Sequence, residues 1–403
     1  MKKLTKVMSL ILTLAMVIAF AAPSAFAAKD KSIKIGVALG STSAADIMMK
    51  DYYENTLGPA FNVKFVFSEA LSDTGSVIAF LESAYASGCE AVVVYPTDGL
   101  EQIIAKANEL GLYLISNAAR IQESVKEMPY YAGNVSSGPQ LTAESYRTII
   151  EKILADGEKH NVVIVSGGAG MGSTQHNLVT RAVLESLQDA YGLTYNDTIE
   201  NLAKSTSEVE VETGTDTKIV IYPGFASSDS YVPGMSNILQ TGDYDVVICC
   251  YNVFSQFAVA INEVEKAYGN NIQVVTLASV DDTTTNAFNT KDTFGNPSID
   301  AVVVKPLCAL SAEMFVILYN AIHGNLDQVR ANPGEACMYV LPMWYAYGYD
   351  EYMALSTLDN SPETYAFQPD DLKPMLVTEN PDIDFQTIYD TFYNCTAQSL
   401  IEK

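Results

Sequence analysis

Six loops of this 403-residue chain place polar or charged residues directly after a run of apolar ones. Ser41, Thr42 and Asp46 follow the run from Ile33 to Leu39, and Asn117 and Arg120 follow Leu112 to Ile115. His176 and Asn177 open a helical stretch beyond Val162 to Ser166. Tyr251 and Asn252 follow Asp245 to Cys250, Asp281 and Asp282 follow Ile272 to Leu277, and Lys305 follows Asp300 to Val304. Hydroxyls, amides, carboxylates, a guanidinium and an ammonium make a set of donors and acceptors suited to holding a small polar molecule. Each residue also has a local role open to it. Loop hydroxyls cap helices, Arg120 can pair with a surface acid, Tyr251 can be core, and adjacent acids often form a solvated face.

Bond-making chemistry has less support. The three histidines, His160, His176 and His323, are far apart with no Glu or Cys at metal-ligand spacing. There is no Gly-x-Ser-x-Gly elbow, no phosphate-binding Gly-x-x-x-x-Gly-Lys-Ser/Thr loop and no Cys-x-x-Cys pair. The glycine-rich turn from Gly167 to Ser173 departs from the dinucleotide fingerprint, because Ser173 stands where the third glycine belongs. A tight turn that brings backbone close to a bound small molecule is the expectation there. Binding without catalysis, cofactor or metal is the reading; an exported hydrolase would need a nucleophile and base that the sequence does not pair.

The elements that must position these residues alternate between helix and buried strand. Val77, Phe80, Leu81 and Ala84 share one helical face before Gly88, and Ala91 to Val94 is an unbroken apolar run, the mark of a strand covered on both faces. Asp98 and Glu101 have capping-box spacing ahead of a helix that ends at Gly111, and Leu112 to Ile115 is the next strand. Two parallel strands joined by a helix put the following loops at the carboxyl end of a sheet, where such sheets bind ligands. The same order of helix, strand, loop, helix, glycine and strand returns, from a helix through Met235 and Leu239 to the strand Ile272 to Leu277. Two similarly built α/β lobes are expected. Crossings between them are placed near Tyr130 to Val135, at Lys305-Pro306 and near Val340. The resulting division is 1–28 signal peptide, 32–132 plus 306–338 N-terminal lobe, 133–305 plus 339–365 C-terminal lobe, and 366–403 a tail wrapping the lobes.

Composition sets the address. Lys2, Lys3 and Lys6, an apolar stretch from Val7 to Ala22 and the small-residue site Ala25-Phe26-Ala27 read as an export signal cleaved near Ala27-Ala28, with no cysteine there to carry a lipid. The formal net charge is −25 before that cut, which takes lysines only and leaves the chain more acidic still. Such a field repels nucleic acid. Cys89, Cys249 and Cys250 read as small buried residues, and Cys337 and Cys395 are the pair to test for a disulfide in an oxidising compartment.

The residues from Ala86-Ser87-Gly88-Cys89-Glu90 through Val92-Val93-Val94-Tyr95-Pro96-Thr97-Asp98 to Ala105-Lys106-Ala107-Asn108-Glu109-Leu110-Gly111 resemble the type I periplasmic solute-binding proteins of ABC transporters, especially the ribose-like sugar binders. The resemblance extends more loosely through Gly133-Asn134, the loop and helix from Gly170 to Arg181, and Val302-Val303-Val304-Lys305-Pro306, and Leu376 to Asn380 looks like the family's C-terminal Val-Thr-x-x-Asn motif. It implies two doubly wound parallel-sheet lobes joined by a three-strand hinge, with a sugar or nucleoside in the cleft between them. The monomeric, loaded protein would be presented to an ABC permease, or alternatively to a membrane receptor for sensing. The family's ligand residues match at Asn252 and are replaced elsewhere: the first loop is not aromatic, and Lys305 stands where glutamine is usual.

Overall fold

The computed structural model describes residues 32–401 apart from Ala169, Met171, Gly172, Ala226 and Thr293. The export signal read over residues 1–28 lies outside the described residues. Strands β1 (Ile33–Ala38), β2 (Val63–Phe67), β3 (Ala91–Val94), β4 (Tyr113–Ser116), β5 (Tyr131–Ser137) and β12 (Cys337–Leu341) form a first sheet. Their order is β12-β5-β4-β3-β1-β2. The second sheet contains β6 (Val162–Ser166), β7 (Val209–Val211), β8 (Ile219–Pro223), β9 (Val246–Cys249), β10 (Gln273–Ala278), β11 (Ala301–Val304) and β13 (Trp344–Tyr347), in the order β13-β11-β10-β9-β6-β8-β7. Its two edges, β7 and β13, run antiparallel to their neighbours, and the strands between run parallel.

The unbroken valine runs explain the parallel sheets. Every residue of β3, β9 and β11 is buried, which requires helices on both faces, and the βαβ connections supply them. The helix Thr74–Ala86 starts at Asp73, whose carboxylate accepts from Ser76 N at 2.9 Å in a capping box. The expected cap at Asp98 does not form. Gly99 takes the N-cap position in a left-handed conformation, φ 66°, and the Asp98 carbonyl instead accepts from Thr74 Oγ1, tying two helix starts together. The helix ends at Gly111, as expected.

The chain passes between the sheets three times: at Gly138, at Lys305-Pro306 and at Pro342-Met343. The stretch from Tyr130 to Val135, expected as a crossing, is instead the start of β5 within the first sheet. Gly133 and Asn134 within it both have reasons that lie in the sheet. Gly133, at φ 135°, lies so close to β12 that a Cβ would sit 2.2 Å from the Cys337 carbonyl oxygen. Asn134, fully buried, is held from the strand side by Ser116 and Tyr131 hydroxyls.

After the second crossing, the helix Leu307–Ile322 is buried almost all round, so both sides of it must be covered. The first sheet covers one side and the C-terminal region the other. Asn320 donates to the Met375 carbonyl at 2.9 Å and accepts from Val377 N at 2.7 Å, so the Leu376 to Asn380 motif is a docking strap. The helix N-terminus is capped across 51 residues by Asp359, whose carboxylate accepts from Leu307 N and Cys308 N at 3.1 and 2.6 Å. Trp344 is wholly buried and donates to the Cys395 carbonyl at 2.8 Å, so its indole packs the C-terminal tail against the second sheet. Cys337 is a free thiol, so a Cys337–Cys395 disulfide is not formed; the two cysteines serve different partners, one within β12 and the other beneath Trp344. Cys89, Cys249 and Cys250 are buried in the lobes, as expected.

Candidate functional site

Both sheets present their carboxyl ends to one cleft. In the first sheet the winding direction reverses between β1 and β3, and in the second between β6 and β9. Loops diverge at such points and leave a crevice. Two cavities occupy it. The smaller, about 260 Å³, is lined from the first sheet by Ser41, Ser43, Asp46, Tyr95 and Asn117, and from the second sheet and its crossing by Ser279, Val280 and Lys305. The larger, about 770 Å³, brings Asn117, Arg120 and Ser137 against Ser173, Thr174 and Gln175. Asn117 lines both, so they meet there, and together they have the scale of a small-molecule site.

Asn117 is fixed from two directions. Its backbone N–H donates to the Val94 carbonyl at 3.1 Å and its side-chain Nδ2 to the Val135 carbonyl at 2.7 Å. That leaves Oδ1 facing the cleft, where it accepts from Lys305 Nζ. One hydrogen bond therefore links a loop of the first lobe to the strap between lobes. Burial holds the Lys305 ammonium below its ordinary pKa, because desolvation disfavours a charge that no carboxylate offsets. The loop from Asn117 to Arg120 is positioned by Asn134, whose Nδ2 donates to the Arg120 carbonyl at 2.7 Å. Arg120 itself is exposed at the larger cavity.

The first loop is organised by its carboxylate. Asp46 accepts from the hydroxyls of Ser41 and Ser43, the latter at 2.8 Å, while Ser43 Oγ caps the helix Ala44–Asp51 by accepting from Asp46 N at 3.3 Å. Thr42 is exposed and lines neither cavity. Tyr95 is the aromatic wall of the smaller cavity, its hydroxyl 3.3 Å from that of Tyr53. Burial pushes the Tyr95 phenol well above its usual range, so it acts as a neutral hydroxyl.

Several expected site residues are engaged in structure instead of lining the cleft. His176 Nδ1 accepts from Gly167 N at 3.0 Å and its ring stacks on Tyr251 with centroids 5.0 Å apart. That contact ties Gly167 to the first turn of the helix Thr174–Tyr191, and burial keeps the imidazole below its ordinary pKa, in the neutral form the acceptor role requires. Tyr251 donates to the Gly224 carbonyl at 2.9 Å and bonds Tyr231 through its hydroxyl. Asp281 caps the helix Asp282–Asn289, accepting from Thr284 N at 2.9 Å. Asn252 is exposed and lines neither cavity, and Asn177 keeps a buried Oδ1 with no hydrogen-bond partner among the described residues. Ser137 Oγ, on the wall of the larger cavity, is likewise buried without a partner there. Among the described residues, no three His, Cys, Asp or Glu side chains converge as metal ligands would.

Sequence reasoning missed Ser43, Tyr95, Ser137, Gln175 and Ser279 as lining residues. Tyr95 and Ser279 were within reach of the rule used, since each directly follows a buried strand. Ser137 was not, because its strand was read as a crossing.

No family model matches the chain, and no curated protein matches it. Solved structures do. AraP, an arabinose binding protein from Geobacillus stearothermophilus, is 13% identical with a TM-score of 0.58 over 80% of this chain and 99% of that one. An ABC transporter solute binding protein from Bacillus halodurans C-125 with bound myo-inositol is 16% identical, with a TM-score of 0.53 over 81% of this chain and 98% of that one. An ABC transporter periplasmic solute binding protein from Actinobacillus succinogenes 130z with bound D-allose is 13% identical, with a TM-score of 0.53 over 80% and 99%. At these identities the likeness is one of fold, and it agrees with the strand orders, the three crossings and the cleft: the chain has the two-lobed fold of the type I periplasmic solute-binding proteins.

Proposed function

We propose that the chain is an exported solute-binding protein that takes a small polyhydroxylated ligand, of the sugar class, between its lobes and hands it to an ABC permease. The observation that carries this reading is the composition of the cleft at Asn117. There a loop of the first lobe, the strap at Lys305 and the strand ends of the second lobe converge with hydroxyls, amides, one carboxylate and two cations. A ligand seated there contacts both lobes, so binding favours the closed arrangement by whatever affinity the second lobe adds, and closure distinguishes loaded from empty protein for a membrane partner. An arabinose binding protein of this fold and two others with bound myo-inositol and D-allose support the sugar class.

The test is a thermal-shift screen of the protein from Lys29 onward against monosaccharides, cyclitols and nucleosides. A ligand at a hundred times its Kd stabilises by about 2.7 kcal/mol, a readily measured rise in melting temperature. The expected result is a rise with one sugar-class group. A folded protein that responds to none of them contradicts the proposal.

A further inference from the structure

The cleft differs in charge from the rest of the molecule. The chain carries 48 Asp and Glu against 23 Lys and Arg, so a cation here has carboxylates in excess to pair with. Many do so: Lys106 holds Glu82, Arg147 holds Glu185, Lys204 holds Glu200 and Lys373 holds Asp370. Lys34, Lys50, Lys64, Lys266, Lys291, Arg120 and Lys305 make no ion pair among the described residues, and of these Lys305 and Arg120 line the two cavities that share Asn117. The only hydrogen bond of the Lys305 ammonium among the described residues is to a neutral amide oxygen, and Arg120 makes no ion pair among them. Asp46 shares the smaller cavity with Lys305, but its carboxylate is turned to Ser41 and Ser43. A half-buried ammonium against a neutral partner is costly to keep desolvated. An anionic group entering from the cleft removes that cost, and Arg120 on the wall of the adjoining cavity offers a second cation.

We propose that the ligand is a sugar acid, a uronate or aldonate, whose carboxylate lies against Lys305 and Arg120 while its hydroxyls reach Asp46, Ser41 and Ser43. This inference rests on the sugar-class reading of the same cleft and narrows it. The desolvated state of Lys305 supports it, since a lysine held below its ordinary pKa by burial alone regains a stable charge when a carboxylate arrives. The acidic exterior also has a consequence. An anionic ligand approaches against the long-range field, so association should quicken as salt screens that field, the reverse of the usual steering.

The experiment is isothermal titration of the protein with D-galacturonate against D-galactose and D-gluconate against D-glucose, repeated with Lys305→Gln and Arg120→Gln. At least one acid is expected to bind ten-fold or more tightly than its neutral counterpart, and Lys305→Gln is expected to erase that preference while leaving the melting temperature of the empty protein unchanged or higher. Equal or tighter binding of the neutral sugar by the unsubstituted protein overturns the inference and leaves the sugar-class reading standing. An acid preference that survives both substitutions also overturns it. Failure of all four compounds, with other neutral sugars bound in the thermal screen, overturns the sugar-acid assignment alone; failure of every sugar overturns both readings.

Discussion

At the residue scale, Asn117 connects the most. It fixes its own loop through Val135, offers an oxygen to Lys305 and lines both cavities. Asn117→Ala removes the acceptor of a half-buried ammonium, and a lost hydrogen bond to a charged group costs about 1.5–3 kcal/mol. Ligand affinity is expected to fall by roughly ten- to a hundred-fold by calorimetry; an unchanged affinity would remove Asn117 from the site. Asp281→Ala is expected to behave differently. It deletes a helix cap worth about 1 kcal/mol and should lower the melting temperature with little change in affinity. His176 gives a signed pH effect. Its folded-state pKa lies below the ordinary 6.5, so the stability it contributes is present above that value and is lost as pH falls through the folded pKa. His176→Asn, which keeps an acceptor for Gly167 N, should flatten that acid limb of a stability profile. The position of these residues after strands was legible in the sequence. Their roles were not, because Asn117, Asp281 and His176 look alike as polar residues at strand ends, and only their partners separate a cleft group from a cap and from a turn clamp.

At the element scale, the helix Leu307–Ile322 begins two residues after Lys305 and is capped by Asp359 from far along the chain. Burial raises the Asp359 carboxyl from 3.8 to about 7, so the folded chain holds its proton more readily than the unfolded chain. That contribution is complete below about pH 4 and is lost as pH rises toward 7, opposite in sign to His176. Denaturation across pH 4 to 8 should show Asp359→Asn losing less stability on the alkaline side than the unsubstituted protein. Asp359→Ala, which strands two N–H groups, should cost about 2 kcal/mol at any pH. Gly133→Ala tests the close approach of β5 and β12. Its positive φ alone costs about 1–3 kcal/mol in a non-glycine residue, and the clash with Cys337 adds to it. A melting temperature unchanged by that substitution would contradict the pairing. Apolar runs and glycine stops gave away most strands and helices, since buried parallel strands leave a dense local signal. The signal failed where polarity was structural: β5 carries Gly133 and Asn134 for reasons that lie in β12 and β4, tens to hundreds of residues away, and β7 is a short half-exposed edge.

At the scale of the whole molecule, three short crossings join two parallel sheets whose carboxyl ends face each other across Asn117 and Lys305. The repeated pattern, from the helix through Met235 and Leu239 to the strand ending at Leu277, made the two lobes legible, because each helix-strand-helix unit is encoded locally. The ligand was not legible, because the cleft takes its chemistry from loops whose residues meet only after folding. On the proposed function, these lobes close on a small sugar-class ligand. Small-angle scattering with and without a saturating ligand from the thermal screen measures that closure: the loaded protein should have the smaller radius of gyration, and superimposable curves at full occupancy would rule closure out.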